Sequence, residues 1–328
     1  MTAAPRLLLY AIGSNGAKTT NGDFAVEIAM VRRAKPIRSA LFVPGNREDR
    51  MLKAPRFGAD ALILDLEDAV ALPDKPSARG TVRKAVEELD KSGQTVLVRV
   101  NDLETELTWA DLDAIVCKEL YCVMLPKVTG PEDVKKVDAV LEFLERKHGI
   151  PVGSILIDPV LETAQGMRQA YEVALASPRV AHLGGITGKD GDIARAIGFQ
   201  WTPEGHEAFF YLSKVLLDAR AANVPYPIGG RGWWDITDLG GLREEAVRTR
   251  NFGYTGMLLI HPSHVAIVNE VFTPTKEQIA HWKELIAAVE ECERKGQSVV
   301  TFNGMMVDTA HVKVAQDLLK WASELGVA

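Results

Sequence analysis

The amino-acid sequence predicts an α/β protein built as a (β/α)8 TIM barrel with a C-terminal helical and lid extension. Short apolar runs alternate along the chain with amphipathic segments, which is the order of strands and helices in such barrels. The runs are nearly continuous, as in parallel strands buried on both faces. Polar residues follow many of the runs, whereas an open doubly wound sheet gathers its site at one switch point.

Seven apolar runs predict strands, namely Ser39–Val43, Ala61–Leu64, Thr95–Val100, Cys122–Leu125, Ile155–Leu161, Val180–Leu183 and Met257–Ile260. The eighth strand is expected near Tyr226–Gly229, where neighbouring proline and glycine residues weaken the pattern. Amphipathic spacing predicts helices at Ser77–Leu89, Pro131–Lys147, His206–Ala222 and Leu239–Asn251.

The 328 residues are expected to divide into three parts. Residues 1–35 form an N-terminal extension, residues 36–274 form the barrel, and residues 275–328 form a C-terminal appendage. In the appendage we expect a long polar helix over Thr275–Lys295, an extended lid segment over residues 298–308, and a final helix to about Leu325. An α/β barrel of this size is commonly one domain.

The composition excludes several classes of function. The net charge of -6 argues against a nucleic-acid partner. The sequence has three cysteines, Cys117, Cys122 and Cys292, and none of them forms a C-x-x-C pair. A disulfide framework or a zinc site is therefore not expected, and we expect a cytoplasmic location. No apolar stretch reaches the ~18 residues of a membrane span, so no membrane partner is expected.

Two carboxylates follow neighbouring apolar runs, at points where a strand gives way to a loop that opens onto a helix. They are Glu162 and Asp192. In a closed parallel barrel these points lie side by side on the rim where active sites collect. Carboxylate oxygens, with water and substrate oxygens, suit a hard cation such as Mg²⁺. Each acid could instead be an ordinary loop residue or a helix cap.

Several motifs together resemble the citrate lyase β-subunit-like and malyl-CoA lyase family, which belongs to the pyruvate- and CoA-ester aldolase superfamily. The resemblance extends from Arg38 to the C-terminus. The motifs are residues 38–45 (RSALFVPG), 58–70 (GADALILDLEDAV), 98–101 (VRVN), 124–127 (MLPK), 161–164 (LETA), 260–263 (IHPS), 271–274 (VFTP) and 304–308 (GMMVD).

The resemblance implies a Mg²⁺-dependent barrel that assembles as a homotrimer or hexamer. Such enzymes are carbon–carbon lyases that cleave or form a β-hydroxyacyl-CoA, such as malyl-, methylmalyl-, citramalyl- or citryl-CoA. The products are an acyl-CoA and a 2-oxo acid. Glu162 and Asp192 are then the metal ligands, with Glu162 also facing the substrate. The loop before Asp192 is longer than the family's short turn, so Asp190 is the alternative; Gly198 at the family's spacing favours Asp192.

Arginines provide the expected contacts to the substrate. Arg99 ends a strand, where its guanidinium could grip a substrate carboxylate at two points and stabilise an enolate oxygen. Arg38 matches the first motif, yet it precedes its strand and could instead form a surface ion pair.

Lys127 could in principle form a Schiff base, which the metal carboxylates make unnecessary. His261 and His264 suggest zinc only weakly.

Three further acids complete the expected catalytic set. Glu67 and Asp68 follow the second strand, and the resemblance implies that they orient metal-bound water or Arg99; both could instead cap the following segment. The family places an acid at the position of Asp308 and delivers it from the neighbouring subunit for proton transfer. A carboxyl group enclosed by a lid would have a raised pKa. Asp308 could also cap the last helix.

Two alternatives to a lyase that acts on CoA esters remain at this point. The same barrel could hydrolyse a malyl-CoA-type thioester, as a thioesterase, if an acid activates water. The chain could also be a citrate lyase β-type subunit that works with an acyl-carrier protein.

Overall fold

Eight parallel strands form one sheet in the computed structural model of the protein, which describes residues 34–296 and 299–328. The strands are β1 (Ser39–Pro44), β2 (Ala61–Asp65), β3 (Thr95–Arg99), β4 (Cys122–Leu125), β5 (Leu156–Leu161), β6 (Gly184–Thr187), β7 (Gly230–Arg231) and β8 (Met257–Leu259). Their order is β7-β6-β5-β4-β3-β2-β1-β8. A parallel bridge between Ile228 and Gly256 joins the two edges, so the predicted (β/α)8 barrel is confirmed.

The sixth and seventh strands lie later in the chain than the sequence predicts. Val180 makes only an isolated bridge to Ile157, and regular pairing of β6 begins at Gly184. An added Cβ at Gly184 would lie 1.7 Å from the carbonyl oxygen of Ile228, so only glycine permits this close approach. Apolar character predicts burial, but the glycines decide where the backbones come close enough to pair.

Twelve helices lie within the described ranges, and they surround the barrel and extend past it. They are α1 (Glu48–Lys53), α2 (Lys75–Lys91), α3 (Thr108–Ile115), α4 (Pro131–Lys147), α5 (Ala164–Arg168), α6 (Ala170–Leu175), α7 (Asp192–Ile197), α8 (His206–Ala221), α9 (Leu239–Phe252), α10 (Val265–Phe272), α11 (Lys276–Arg294) and α12 (Thr309–Glu324). None of these helices is long and apolar enough to cross a membrane.

Alternate side chains of the strands fill two separate cores. Ala61 and Ile63 of β2 join a cluster inside the barrel, whereas Leu62 and Leu64 pack into the larger cluster between the sheet and the helices. All four side chains are fully buried. This two-sided burial explains the continuous apolar runs of the sequence.

The C-terminal segment forms a helical hairpin with a small core of its own. Val289 of α11 packs with Val307 and Val312 beside it. Between the helices, β9 (Val300–Phe302) and β10 (Met305–Val307) form an antiparallel pair where an extended lid was expected. Position 298 of that expected lid lies outside the described residues, as do residues 1–33 of the expected N-terminal extension. The domain limits stay a prediction.

Candidate functional site

The carboxyl ends of the strands form one rim, and a cleft of about 400 Å³ opens there. Lys127, Glu162 and Asp192 line this cleft, together with Thr163 and Arg195. Lys127 comes two residues after β4, Glu162 directly follows β5, and Asp192 begins α7 after β6. Three neighbouring strand ends therefore contribute charged side chains to one cleft, as the barrel architecture predicts.

Arg99 lies at the end of β3, and its planar fork is occupied by a protein carboxylate. Its Nε and Nη2 donate to the two carboxylate oxygens of Asp65 at 2.7 and 2.6 Å, and its Nη1 lies 3.0 Å from Glu67. Burial alone would lower the pKa of Arg99, but the hydrogen bonds and charge of Asp65 raise it. The two-point grip that was expected to hold a substrate carboxylate is thus made with Asp65.

Glu67 is a buried carboxylate between two cations. One oxygen lies 3.0 Å from Arg99, and the other lies 2.7 Å from Nζ of Lys127. Burial raises the pKa of Glu67, while the charges of Arg99 and Lys127 oppose that rise. The expected contact between Glu67 and Arg99 is present, whereas the exposed Asp68 lies farther away, at 3.9 Å. The turn after β2 is held by Asp65, which accepts the backbone N–H of Glu67 and Ala69.

Lys127 connects three parts of the rim. Its backbone N–H donates to Oε1 of Glu162 at 3.0 Å, and its Nζ lies near Glu67, Asp68 and Asp192. Its φ of 51° lies in the left-handed region, which non-glycine residues rarely adopt outside turns and functional sites. Burial would lower the pKa of Lys127, but Glu67 raises it above the ordinary value. The side chain therefore stays protonated, and a protonated amine does not form a Schiff base.

Glu162 and Asp192 could hold a divalent cation together. Burial and the neighbouring charge of Glu67 raise the pKa of Glu162 to about 7, and Asp192 adds to the effect. Such repulsion among carboxylates is relieved by a bound cation, and a pair of carboxylates with open positions is typical of Mg²⁺ sites. Within residues 34–296 and 299–328, no three His, Cys, Asp or Glu side chains converge on one point. Asp190 is exposed and does not line the cleft.

Arg38 is not brought to the rim. It precedes β1, at the opposite end of that strand, and its guanidinium donates to both carboxylate oxygens of Asp60 and to Oγ1 of Thr273. These contacts match the alternative expectation for Arg38, which was an ion pair. A role of Arg38 in substrate binding stays a prediction without a contact to the cleft in this chain.

Asp308 also lies outside the cleft of its own chain. Its half-exposed carboxylate caps α12, where it accepts the backbone N–H of Ala310 at 2.9 Å and pairs with Nδ1 of His311 at 2.8 Å. The hydrogen bond from His311 lowers the pKa of Asp308. No lid encloses this carboxylate within the described residues of the single chain, so the raised pKa expected for an enclosed Asp308 stays a prediction.

Two supporting residues escaped the sequence analysis. Asp65 ends β2, and its pairing with Arg99 follows only from the register of β2 and β3, which places the two residues side by side. Lys75, at the start of α2, is buried and donates to the carbonyls of Leu66 and Glu67 and to Oδ1 of Asn101. The sequence holds no signal for Lys75, because a lysine at a helix start is ordinarily exposed.

The chain is similar to proteins of known activity over most of its length. Residues 38–262 match the family described as HpcH/HpaI aldolase/citrate lyase. The (3S)-malyl-CoA thioesterase of Cereibacter sphaeroides is 35% identical over 90% of this chain and 98% of its own length. The citrate lyase subunit beta of Leuconostoc mesenteroides subsp. cremoris is 33% identical over 87% of this chain and 93% of its own length.

A solved structure shares both the fold and the sequence pattern. The protein CitE from Mycobacterium tuberculosis, in complex with magnesium, acetoacetate and coenzyme A, superposes with a TM-score of 0.66 at 28% identity. The match covers 89% of this chain and 99% of that chain. The expected resemblance is confirmed by these similarities, and the chain belongs to the HpcH/HpaI aldolase/citrate lyase family.

Proposed function

We propose that the protein is a Mg²⁺-dependent carbon–carbon lyase, which cleaves or forms a β-hydroxyacyl-CoA between its acyl-CoA and 2-oxo acid parts. The observation that carries the proposal is the pair Glu162 and Asp192 on one cleft. Lys127 lines the same cleft, and Glu67 joins Lys127 to Arg99. The citrate lyase subunit among the relatives supports the reaction class, and the complex of CitE with magnesium and coenzyme A supports the cofactor and the thioester.

In this proposal Glu162 and Asp192 hold the Mg²⁺ ion, which when bound polarises the oxygens of the 2-oxo acid part. Lys127 and Arg99 add positive charge beside the cleft, where an enolate oxygen would be stabilised. Glu67 lies between both cations and keeps their positions relative to each other. Asp65 holds the guanidinium of Arg99 in one orientation, so little reorganisation is needed when charge develops.

Asp308 would act on the thioester α-carbon of a neighbouring subunit in a homotrimer or hexamer. Its carboxylate does not line the cleft of its own chain, and Met305 and Met306 beside it are largely exposed. An apolar hairpin tip next to an acid is suited to covering a site on another subunit. Burial on such an interface would remove water from Asp308 and raise its pKa, which favours proton transfer near neutral pH.

A panel of CoA thioesters tests the proposal. Malyl-, methylmalyl-, citramalyl- and citryl-CoA are each incubated with the protein and Mg²⁺, and 2-oxo acid release is measured. We expect at least one thioester to yield equal amounts of 2-oxo acid and acyl-CoA, with no release in excess chelator. Turnover that persists in chelator would contradict the metal assignment.

Thioester hydrolysis is the second candidate, because a relative at 35% identity is a (3S)-malyl-CoA thioesterase. Here a carboxylate of the rim would activate water for attack on the thioester carbonyl. Free CoA thiol and 2-oxo acid are measured in the same reaction. CoA release without 2-oxo acid would identify the hydrolase, and 2-oxo acid release without free CoA would identify the lyase.

A role as a citrate lyase β-type subunit is the third candidate, favoured by the relative of that name. Such a subunit would use an acyl-carrier protein in place of CoA. Turnover of a citryl thioester only when the acyl group is carried by that protein would favour this reading.

A further inference from the structure

The ammonium of Lys127 lies beside carboxylates that a metal ion at the rim would need as ligands. Its Nζ is 2.7 Å from Glu67, 3.7 Å from Asp68 and 3.9 Å from Asp192. Its backbone N–H separately holds the other expected ligand, Glu162. One residue therefore contacts both expected metal ligands, one with its main chain and the other with its side chain.

We propose that Lys127 is the resident counter-cation of the cleft, which competes with the divalent metal for Asp192 and links metal binding to substrate binding. The inference rests on the proposed function. In the metal-free chain the ammonium balances the clustered carboxylates. When the metal binds, the ammonium moves away from Asp192 into the cleft, while its short ion pair with Glu67 keeps it at the rim.

Coulomb repulsion is the reason for the movement. A divalent ion bound to Asp192 would lie within a few ångströms of an ammonium that stayed 3.9 Å from the same carboxylate. Like charges this close repel each other strongly at the rim of a protein, where they are screened less than in bulk water. The backbone of Lys127 does not need to move, because the bond to Glu162 comes from the main chain.

The displaced ammonium faces a cleft that would hold an anionic substrate. Lys127 has 29% of its side chain exposed and lines the cleft, so a 2-oxo acid carboxylate could reach it there. The metal would then improve the binding of the 2-oxo acid beyond its own contacts, and by reciprocity the 2-oxo acid would tighten the metal. Lys127 would thus contact the substrate directly, and it would affect the metal through the carboxylate of Asp192.

The test compares Mg²⁺ binding to purified full-length variants by calorimetry, without substrate. Lys127→Gln removes the charge but keeps the backbone N–H and a side chain of similar length. Lys127→Arg keeps the charge. Lys118→Gln removes the same charge from an exposed lysine that precedes β4, at the other end of that strand. We expect Lys127→Gln to bind Mg²⁺ roughly tenfold more tightly than the unchanged protein, and the other two variants to change little.

The direction in which the Mg²⁺ affinity of Lys127→Gln changes decides whether Lys127 competes with the metal. If the folded Lys127→Gln protein binds Mg²⁺ equally or more weakly than the unchanged protein, Lys127 does not compete with the metal. Weaker binding would mean instead that Lys127 supports the metal site. Added pyruvate should tighten Mg²⁺ in the unchanged protein more than in Lys127→Gln, and equal tightening would overturn the link to substrate. If the unchanged protein binds no Mg²⁺ at all, the proposed function itself fails.

A measurement on the unchanged protein covers the case in which Lys127→Gln does not fold. Reductive methylation of lysines is followed by mass spectrometry with and without Mg²⁺. Displacement from Asp192 predicts that Mg²⁺ increases the labelling of Lys127 and leaves that of Lys118 unchanged. Protection of Lys127 by Mg²⁺ would overturn the inference.

Discussion

Arg99 and Asp65 form a two-point ion pair between the ends of two adjacent strands, with N···O distances of 2.7 and 2.6 Å. The carboxylate of Asp65 also accepts two backbone N–H groups of the turn that carries Glu67. Arg99 is thus fixed by the same residue that shapes the turn. Its function and its contribution to stability are therefore expected to change together.

Replacing Arg99 by Lys keeps the charge but removes the planar fork, so Asp65 cannot be bridged at both oxygens. We expect kcat/KM for the CoA thioester to fall more than about tenfold and the free energy of unfolding to fall by roughly 2–3 kcal/mol. Steady-state kinetics and urea unfolding measure the two effects. Arg56→Lys, at an exposed arginine, is the matched control. A smaller change in kcat/KM would identify Arg99 as peripheral to the chemistry.

Glu162→Gln should separate metal binding from folding. The amide oxygen of Gln can still accept the backbone N–H of Lys127, so the fold is expected to remain. A neutral amide is a poorer ligand for a hard cation, so Mg²⁺ binding should weaken by more than about tenfold and turnover should be lost. Calorimetry and the 2-oxo acid assay measure these effects. Glu132→Gln, at an exposed acid on α4, should leave both at their original values.

Gly184→Ala should destabilise the barrel where β6 approaches the segment before β7. The new Cβ would lie 1.7 Å from the carbonyl oxygen of Ile228, and backbone on both sides would have to shift. We expect a loss of about 3 kcal/mol in the free energy of unfolding, measured by urea denaturation. At Gly191 the nearest atom would be 3.5 Å from an added Cβ, so Gly191→Ala is the control. Equal effects at both positions would contradict the close approach of Gly184 and Ile228.

The pH dependence of stability is expected to report on Asp158. Burial in β5 raises the pKa of this carboxyl to about 7, whereas in the unfolded chain it titrates near ~4. The folded protein therefore binds more protons between these values, and the contribution of Asp158 to stability is lost as the pH rises towards 7. Asp158→Asn should be more stable than the unchanged protein at pH ~8, by on the order of 2–4 kcal/mol, and the difference should shrink near pH ~5. A difference independent of pH would contradict the shift.

Short-range sequence patterns predict much of this fold, because most of its helices and strands are marked by the residues within and next to them. The helix at Pro131–Lys147 was predicted with its observed bounds, since Pro131 and the apolar spacing mark its start and face. The strand end before Glu162 followed from a short buried run. The start of β6 did not, because close packing of Gly184 against Ile228 involves residues 44 positions apart.

The site was harder to predict than the fold, because the partner of a charged side chain depends on strand register. Arg99 was expected to present its fork to a substrate, yet Asp65 lies beside it in the register of β2 and β3. A Schiff base at Lys127 was conceivable from the sequence but unnecessary, and three neighbouring carboxylates keep this lysine charged. Such relationships depend on contacts between distant residues, which no local pattern encodes.

The role of Asp308 can be separated from its role as a helix cap. Asp308→Asn should keep the fold and Mg²⁺ binding, because asparagine also caps helices well. Turnover should fall by about 100-fold or more, since general acid–base groups commonly contribute that much. Asp317→Asn, at an acid within the same helix α12, is the control and should keep its activity. Full activity of Asp308→Asn would remove Asp308 from the catalytic set.

Mixing two inactive variants tests whether Asp308 acts across a subunit boundary. Glu162→Gln lacks a metal ligand and Asp308→Asn lacks the acid, so neither protein alone has a complete site. If the acid comes from a neighbour, co-assembled oligomers contain some sites with an intact Glu162 from one chain and an intact Asp308 from another, and part of the activity returns. Co-expression with two different affinity tags isolates the mixed oligomers, and 2-oxo acid release measures the recovery. Mixed oligomers that stay inactive would show that Asp308 does not act in trans, and an active strict monomer would lead to the same conclusion.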